Sequence, residues 1–474
     1  MSFYHNSPGV SRRFRLVSSS FLQKDGLHFA AALPEQRIQE AFDAEGVDFA
    51  ADDDGVYTPA ATLWASLSQT LHKGEQRSCL AAVSRVLVLL VALGREPCAK
   101  NSGAYCRARA KLPEVVLERL ATEAAEGCDR AVPRGWLWHG RHVLLADGTT
   151  ASMPDTAENQ SEYPQHNAQQ PGLGFPILRL VVLLSLATAM VCGMALGPYA
   201  GKETGEPALF RELLKDVDPR TIFLADRYYC GYFLLALAIL GRCDFVVRLH
   251  QCRKTDFCKT KRLGKGDHLV RWKRPARPEW MDQTTYERIP ETIAVRQIEV
   301  QVHEPGFRAE SLTVVTTLTD AKEYPPEEMA ELYRRRWMAE LDIRAIKCTM
   351  GMDVLRCKSP AMVRKEIWTC LLAYNLIRKA MLEAAFESGR SPRELSFAAA
   401  MQTIAASLGT LACTGGPLAE RLIAAQLASL AEQRVGDRPN RVEPRAVKRR
   451  PQPLALLTKP RDEVRAELLR GARA

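Results

Sequence analysis

The chain has 474 residues, 46% of them hydrophobic, enough apolar content for a substantial core in two or three domains and too much for a disordered tail. Lys and Arg number 65 against 55 Asp and Glu, with the excess gathered in a few segments, a balance that suits a polyanionic partner such as nucleic acid and equally a basic soluble surface. Thirteen cysteines without a CxxC pair argue against a disulfide framework or a zinc finger and for reduced thiols; Cys252 and Cys258 near His250 lack a second ligand pair.

The apolar residues after Arg12, Arg13 and Arg15 are too few and too broken by Ser and Gln for a secretory signal, so a cytoplasmic protein is expected. From about Pro34 to Glu126 the pattern is helical, with an apolar run at Leu80–Leu93 capped by Ser78 and stopped by Gly94 and Pro97. A short helix over residues 101–111 would carry Arg107, Arg109 and Lys111 beside Tyr105, either as a DNA-contacting helix or as a solvated basic face.

The middle of the chain alternates. His142–Ala146 reads as a strand ending in Asp147-Gly148, Ile177–Leu196 as two strands joined near Ala189, Glu206–Val217 as a helix, Thr221–Ala225 as a strand ending in Asp226, and Cys230–Leu240 as a helix. The stretch Ile177–Leu196 is apolar enough to raise a membrane span, but Arg179, Ser185, Thr188 and Gly193 and its Val content favour buried strands, so no membrane segment is expected. Hairpin strands followed by strand–helix crossovers predict a mixed sheet with helices packed on it.

Beyond Asp244 the helical signal fades, and Phe245–Leu249, His268–Trp272, Ile293–Val302 and Leu312–Leu318 read as the strands of a β-rich insertion. Arg253–Arg277 holds ten Lys or Arg against two Asp, with Phe257 and Trp272 between them, a composition suited to phosphates or to a solvated loop. Helix returns at Pro325 and continues with breaks to about Gln433. The tail Arg434–Arg461 has nine basic residues, two acidic ones and five prolines, the mark of an extended arm. The predicted organisation is therefore a helical N-terminal DNA-binding region (1–130), a mixed-sheet core (131–243), the insertion (244–322), the core's second part (323–390), C-terminal helices (391–433) and a basic proline-containing tail (434–474).

The sharpest signal is Glu331-Leu-Tyr-Arg-Arg-Arg-Trp-Met-Ala-Glu-Leu-Asp-Ile-Arg-Ala-Ile-Lys347. On a regular helix, at about 100° per residue, Tyr333, Arg336, Glu340 and Lys347 fall within an arc of about 60°, with Met338, Leu341, Ala345 and Cys348 as the neighbouring apolar stripe. A carboxylate flanked by two cations and a phenol suits a phosphodiester, the acid holding a metal and the cations binding phosphate oxygens. A surface helix with incidental charges reads the same way. Asp147 and Asp226, each placed at the end of an apolar strand, would project at the carboxyl edge of the sheet. Three carboxylates brought together would repel one another unless hard cations bound them, and two such cations about 4 Å apart can activate an attacking oxygen and stabilise a leaving one.

The spacing Tyr333-x2-Arg336-x3-Glu340-x6-Lys347, the Asp147-Gly148-Thr149 run and Asp226-Arg227 resemble the Y-R-E-K signature and acidic residues of DDE transposases of bacterial insertion sequences, family four. The resemblance covers most of the chain. It implies a ribonuclease-H-like core interrupted by a β-rich insertion, and a cut-and-paste transposase that cleaves transposon ends and transfers them into target DNA. It further implies Asp147, Asp226 and Glu340 as ligands of Mg2+ or Mn2+, and Tyr333, Arg336, Lys347 and Arg227 as DNA contacts. The partners implied are terminal inverted repeats and target DNA, held by a dimer on paired ends in the bacterial cytoplasm at the nucleoid. In the best-known relatives an aromatic residue of the insertion stacks on a flipped base; Trp272 and Trp280 are the tryptophans here, and neither precedes the Y-R-E-K helix directly. Two rivals share features of this reading: another ribonuclease-H-like metal nuclease, and an inactive transposase-derived DNA-binding protein.

Overall fold

The computed structural model describes residues 14–24, 26–46, 55–253, 260–301, 311–436 and 456–471. The N-terminal part is helical: α1 (Arg15–Ser20), α2 (Glu35–Ala44), α3 (Pro59–Thr70), α4 (Cys79–Ala92), α5 (Gly103–Lys111) and α6 (Glu114–Ala131). The apolar run at Leu80–Leu93 is α4, whose Ser78 hydroxyl accepts from the Ala81 amide, and Gly94 follows at φ +69°, a left-handed stop that glycine adopts without strain.

Strand β1 (Val143–Ser152) is followed by α7 (Ala157–Glu162), β2 (Ile177–Ser185), β3 (Val191–Pro198), α8 (Glu206–Leu213), β4 (Ile222–Ala225), α9 (Tyr232–Leu240) and β5 (Asp244–Arg248). Then come β6 (Lys261–Gly264), β7 (Asp267–Lys273), α10 (Gln283–Arg288), β8 (Thr292–Gln301) and β9 (Ser311–Thr316). The C-terminal part adds α11 (Pro326–Arg334), α12 (Trp337–Arg344), a π turn at Ala345–Thr349, α13 (Pro360–Glu387), α14 (Phe397–Cys413), α15 (Gly416–Glu432) and α16 (Arg461–Gly471).

All nine strands form one sheet in the order β3-β2-β1-β4-β5-β9-β8-β7-β6. β1, β4 and β5 run parallel, while β2, β3 and the strands from β9 outward are antiparallel. The central strands β2, β4 and β5 and the first half of β1 are buried on both faces, which is why they read as near-continuous apolar runs. Val143, Leu145, Ile222, Leu224 and Val246 enter the core shared with α6 and α13, whereas Leu144, Ala146, Phe223, Ala225, Phe245 and Val247 enter the core shared with α8 and α9. Ile177–Leu196 is the β2–β3 hairpin, turned at Ala189 with φ +60°, and no described helix is long and apolar enough to cross a membrane.

The structure corrects several expectations. β1 does not end at Asp147 but runs on to Ser152, because β2 continues to pair with it. The boundary drawn at Asp244 falls between paired strands, since β5 joins β4 in parallel and β9 extends the same sheet from β5. The insertion also contains β6 and α10, which its turn-rich sequence hid. Trp272 does not stand out among the basic residues of Arg253–Arg277: it is buried, with the Arg253 guanidinium 3.8 Å above its ring. Arg274 and Arg277 of the same run donate to backbone carbonyls, and Asp267 is consumed in a fully buried pair with Arg296 at 2.6 Å. Lys261, Arg262, Lys265, Arg271 and Lys273 remain exposed, whereas Phe257 and Cys258 lie outside the described residues. In α5, Arg107 and Lys111 are exposed, but Arg109 turns inward to Gln69 and Cys357 and is not part of a solvated basic face. Most of the segment Arg434–Arg461 read as an extended arm, residues 437–455, lies outside the described residues, and α16 begins at its end, Arg461.

Candidate active site

Three parallel strands bring the first residues together. Val143 pairs with Ile222 and Ala146 with Ala225, so Asp147 and Asp226 each follow directly on the last pair of this ladder. Ala225 likewise pairs with Val247, setting Asp226 beside Arg248. Alternation then decides the face: Asp147, Asp226 and Arg248 share parity with Leu145, Leu224 and Val246, the side covered by the C-terminal helices. Two carboxylates and a guanidinium are thus delivered to the carboxyl end of the ladder, where Asp226 and Arg248 line one pocket and the Asp226 charge acts on Asp147. Asp226 also caps the turn that follows it, accepting from the Tyr228 amide at 2.7 Å, and Asp147 accepts from the Gly148 amide at 2.9 Å.

The Y-R-E-K segment delivers the opposite wall, though not as one regular helix. α11 ends at Arg334, the next turn is tightened by bonds from Arg336 to Tyr333 and from Ala339 to Arg336, and α12 then opens into the π turn, a distortion common at functional sites. The 60° arc of a uniform helix therefore does not apply. Tyr333 and Arg336 line an open pocket of about 200 Å³ with Asp226, Arg227 and Arg248, whereas Asp147, Glu340 and, on the π turn, Lys347 lie outside that lining. The Arg336 guanidinium donates to Glu340 Oε1 at 2.9 Å, tying Glu340 to a residue whose charge also acts on Asp147. Arg227 donates to Gln251 Oε1 at 3.0 Å.

The predicted apolar stripe is also corrected. Leu341 is 46% exposed and Cys348 is exposed, while the inward positions are Ala339, Asp342, Ala345 and Ile346. Asp342 accepts from Arg378 at 2.8 Å and from Arg393 at 3.0 Å, and Arg393 also donates to the Ser185 and Leu186 carbonyls of the β2–β3 turn. A buried acid thus locks the helix bearing Glu340 to the sheet and to α13. Periodicity missed it because an Asp on a helix of alternating charge reads as surface.

Burial pushes the Asp147 carboxyl up to about 6, against the Gly148 amide and Arg336, with Glu206 and Asp226 adding to the rise. Burial pushes the Tyr333 phenol up to about 12, opposed by Arg336 and Arg248. Burial works against the charge of Arg336, but Tyr333, Glu340 and Asp147 overcome it and raise the guanidinium above its ordinary value. The donors are hard carboxylate oxygens, so the set fits a divalent cation in its chemistry. Among the described residues no three His, Cys, Asp or Glu already stand close enough to hold an ion, and Glu340 is paired with Arg336.

Residues 138–376 match the family described as Transposase DDE domain. The chain is 30% identical over 399 residues to the transposase InsG for insertion sequence element IS4 of Escherichia coli (strain K12), covering 82% of this chain and 85% of that relative. A shorter similarity, 36% identity over 76 residues, links 16% of this chain to 20% of the transposase for insertion sequence element IS421 of Escherichia coli. Among solved structures, the piggyBac transposase synaptic complex with hairpin DNA aligns over 92% of this chain and 89% of that one, at 11% identity and a TM-score of 0.43.

Proposed function

The chain belongs to the transposase DDE domain family and is a DNA transposase, and from that premise we propose that Asp147, Asp226 and Glu340 are its catalytic carboxylates, set in a ribonuclease-H-like core. The observation that carries the reading is the placing of Asp147 and Asp226 just past the last pair of the parallel strands β1 and β4, facing the segment where Arg336 holds Glu340. Strand order β3-β2-β1-β4-β5 with β1, β4 and β5 parallel supports that core. Asp147, Asp226 and Glu340 would hold Mg2+ or Mn2+, which when bound supplies activation of the attacking oxygen and stabilisation of the leaving one.

The chain's own groups do the rest. Arg336, Arg248 and Arg227 converge on the pocket beside Asp226 and bind the phosphate oxygens flanking the cut, and the Tyr333 hydroxyl, kept protonated by burial, donates to a third. Lys347 binds phosphate further along the strand. The substrate is the terminal inverted repeat of the element, followed by target DNA, and pairing two ends calls for a dimer acting at the nucleoid. Purified protein on uncut and pre-cut transposon ends tests the reading: both cleavage and strand transfer should require a divalent metal. Cleavage without strand transfer would instead mark a nuclease of the same fold.

Arg336→Ala and Lys347→Ala separate these outcomes further, since hydrolysis alone needs only the acids. Each should lose cleavage and strand transfer by about 1.5–3 kcal/mol per charged hydrogen bond removed, roughly tenfold to 150-fold. Wild-type strand transfer by both variants on paired-end substrates would remove these side chains from the phosphate contacts. Duplex affinity should also fall steeply with salt, because exposed Lys261, Arg262, Lys265, Arg271 and Lys273 would release one condensed counterion for about each phosphate neutralised. Replacing all five by Ala should flatten the slope of log affinity against log salt, and an unchanged slope would place the grip elsewhere.

A further inference from the structure

The ladder between β1 and β4 ends at the pair Ala146 and Ala225, and beyond it β1 continues while the other chain turns away at Asp226. Asp147 and Gly148, at the mouth of this opening, face opposite sides of the sheet. Glu206, the first residue of α8, comes up against Gly148 from the side away from Glu340: a Cβ at position 148 would stand 2.2 Å from Glu206 Cδ and 2.4 Å from its Oε1. Any other residue after Asp147 would therefore push this carboxylate away. Fully buried Tyr229, in the turn after Asp226, brings its hydroxyl to 3.5 Å from Glu206 Oε2, and Arg179 of β2 fixes the approach by donating to the Thr204 carbonyl at 2.6 Å. Burial and the Asp226 charge both push the Glu206 carboxyl up, and Glu206 in turn acts on Asp147, so these acids share one field.

We propose that Glu206 is a fourth acid of the catalytic centre, a positioning residue that helps hold the divalent cation from the side of β1 opposite Glu340, and that the glycine after Asp147 is required to seat it. The inference rests on the reading of Asp147, Asp226 and Glu340 as metal-holding acids. Ordinary helix logic gives Glu206 a different role, a favourable charge at the start of α8. The two differ in sign: neutralising a helix-start acid lowers stability, whereas neutralising one member of a crowded acidic set relieves repulsion in the metal-free protein and weakens its hold on metal.

Mn2+ titrated into the full-length chain without DNA, followed by its spin-resonance signal, reads the affinity directly. Glu206→Gln should weaken Mn2+ binding about tenfold, as loss of a partner around a metal site does, without lowering the Tm of the metal-free protein. Glu206→Asp should recover part of the affinity. Gly148→Ala, which displaces the carboxylate but keeps its charge on the chain, should weaken binding as well. Wild-type affinity in both Glu206→Gln and Gly148→Ala, beside loss of binding in Asp147→Asn, would overturn the role of Glu206 and leave the three-acid reading standing. Wild-type affinity in Asp147→Asn and Glu340→Gln too would overturn both.

Discussion

Glu340→Gln should retain DNA binding and lose cleavage by about a thousandfold or more, because a metal-holding oxygen contributes several kcal/mol where charge develops in the transition state. The amide keeps the size of the side chain and its ability to accept from Arg336, so the wall of the pocket stays in place. The Arg336–Glu340 pair is 38% exposed at its acid end, and pairs of that kind contribute under about 1 kcal/mol to stability, so the fold should tolerate the change. A gel-shift and a cleavage assay on the same transposon-end duplex give the answer. Loss of binding and cleavage together would assign Glu340 to the fold, and undiminished cleavage would remove it from the chemistry.

Asp342, two residues further on, should show the opposite pattern. Its carboxylate is 3% exposed and lies between the guanidinium groups of Arg378 and Arg393, themselves 8% and 15% exposed. Asp342→Ala would leave two cations with little water and no counter-charge, and breaking a buried pair in this way costs about 3–5 kcal/mol, a large share of the roughly 5–15 kcal/mol that holds a domain folded. Denaturant unfolding should show the loss as a lower midpoint, accompanied by poor cleavage because Glu340 is no longer held in register. A loss under about 1 kcal/mol would mean that the Arg378–Tyr374 and Arg393–carbonyl bonds carry the anchor without Asp342.

Those neighbouring acids illustrate what was legible in the sequence. Glu340 was proposed from spacing, because a phosphodiester centre needs particular residue types at particular offsets. Asp342 was missed because its partners, Arg378 and Arg393, lie far away in the chain and only the packing of α13 on the sheet brings them near. Asp147 and Asp226 were readable at the ends of apolar runs, but their alignment depends on the parallel register of β1 and β4, which no local pattern records. Glu206 looked like the start of a helix, which it also is. The basic stretch after Arg253 misled in part, since composition counts charges without telling the exposed Lys261 and Arg271 from Arg274, which closes a turn.

The continuity of the sheet from β4 through β5, β9 and β8 to β7 turns the fold into a ruler. Four strand spacings of about 4.8 Å separate β4, which ends next to Asp226, from the cationic surface of β7, roughly 19 Å across hydrogen-bonded backbone. A duplex rises about 3.4 Å per base pair, so for DNA lying across the strands a phosphate held at β7 would stand about half a helical turn from one held beside Asp226. A hinged appendage would let that interval drift. Backbone ladders hold it to the twist of the sheet, so the distance between phosphates held at the two places would be set by strand count.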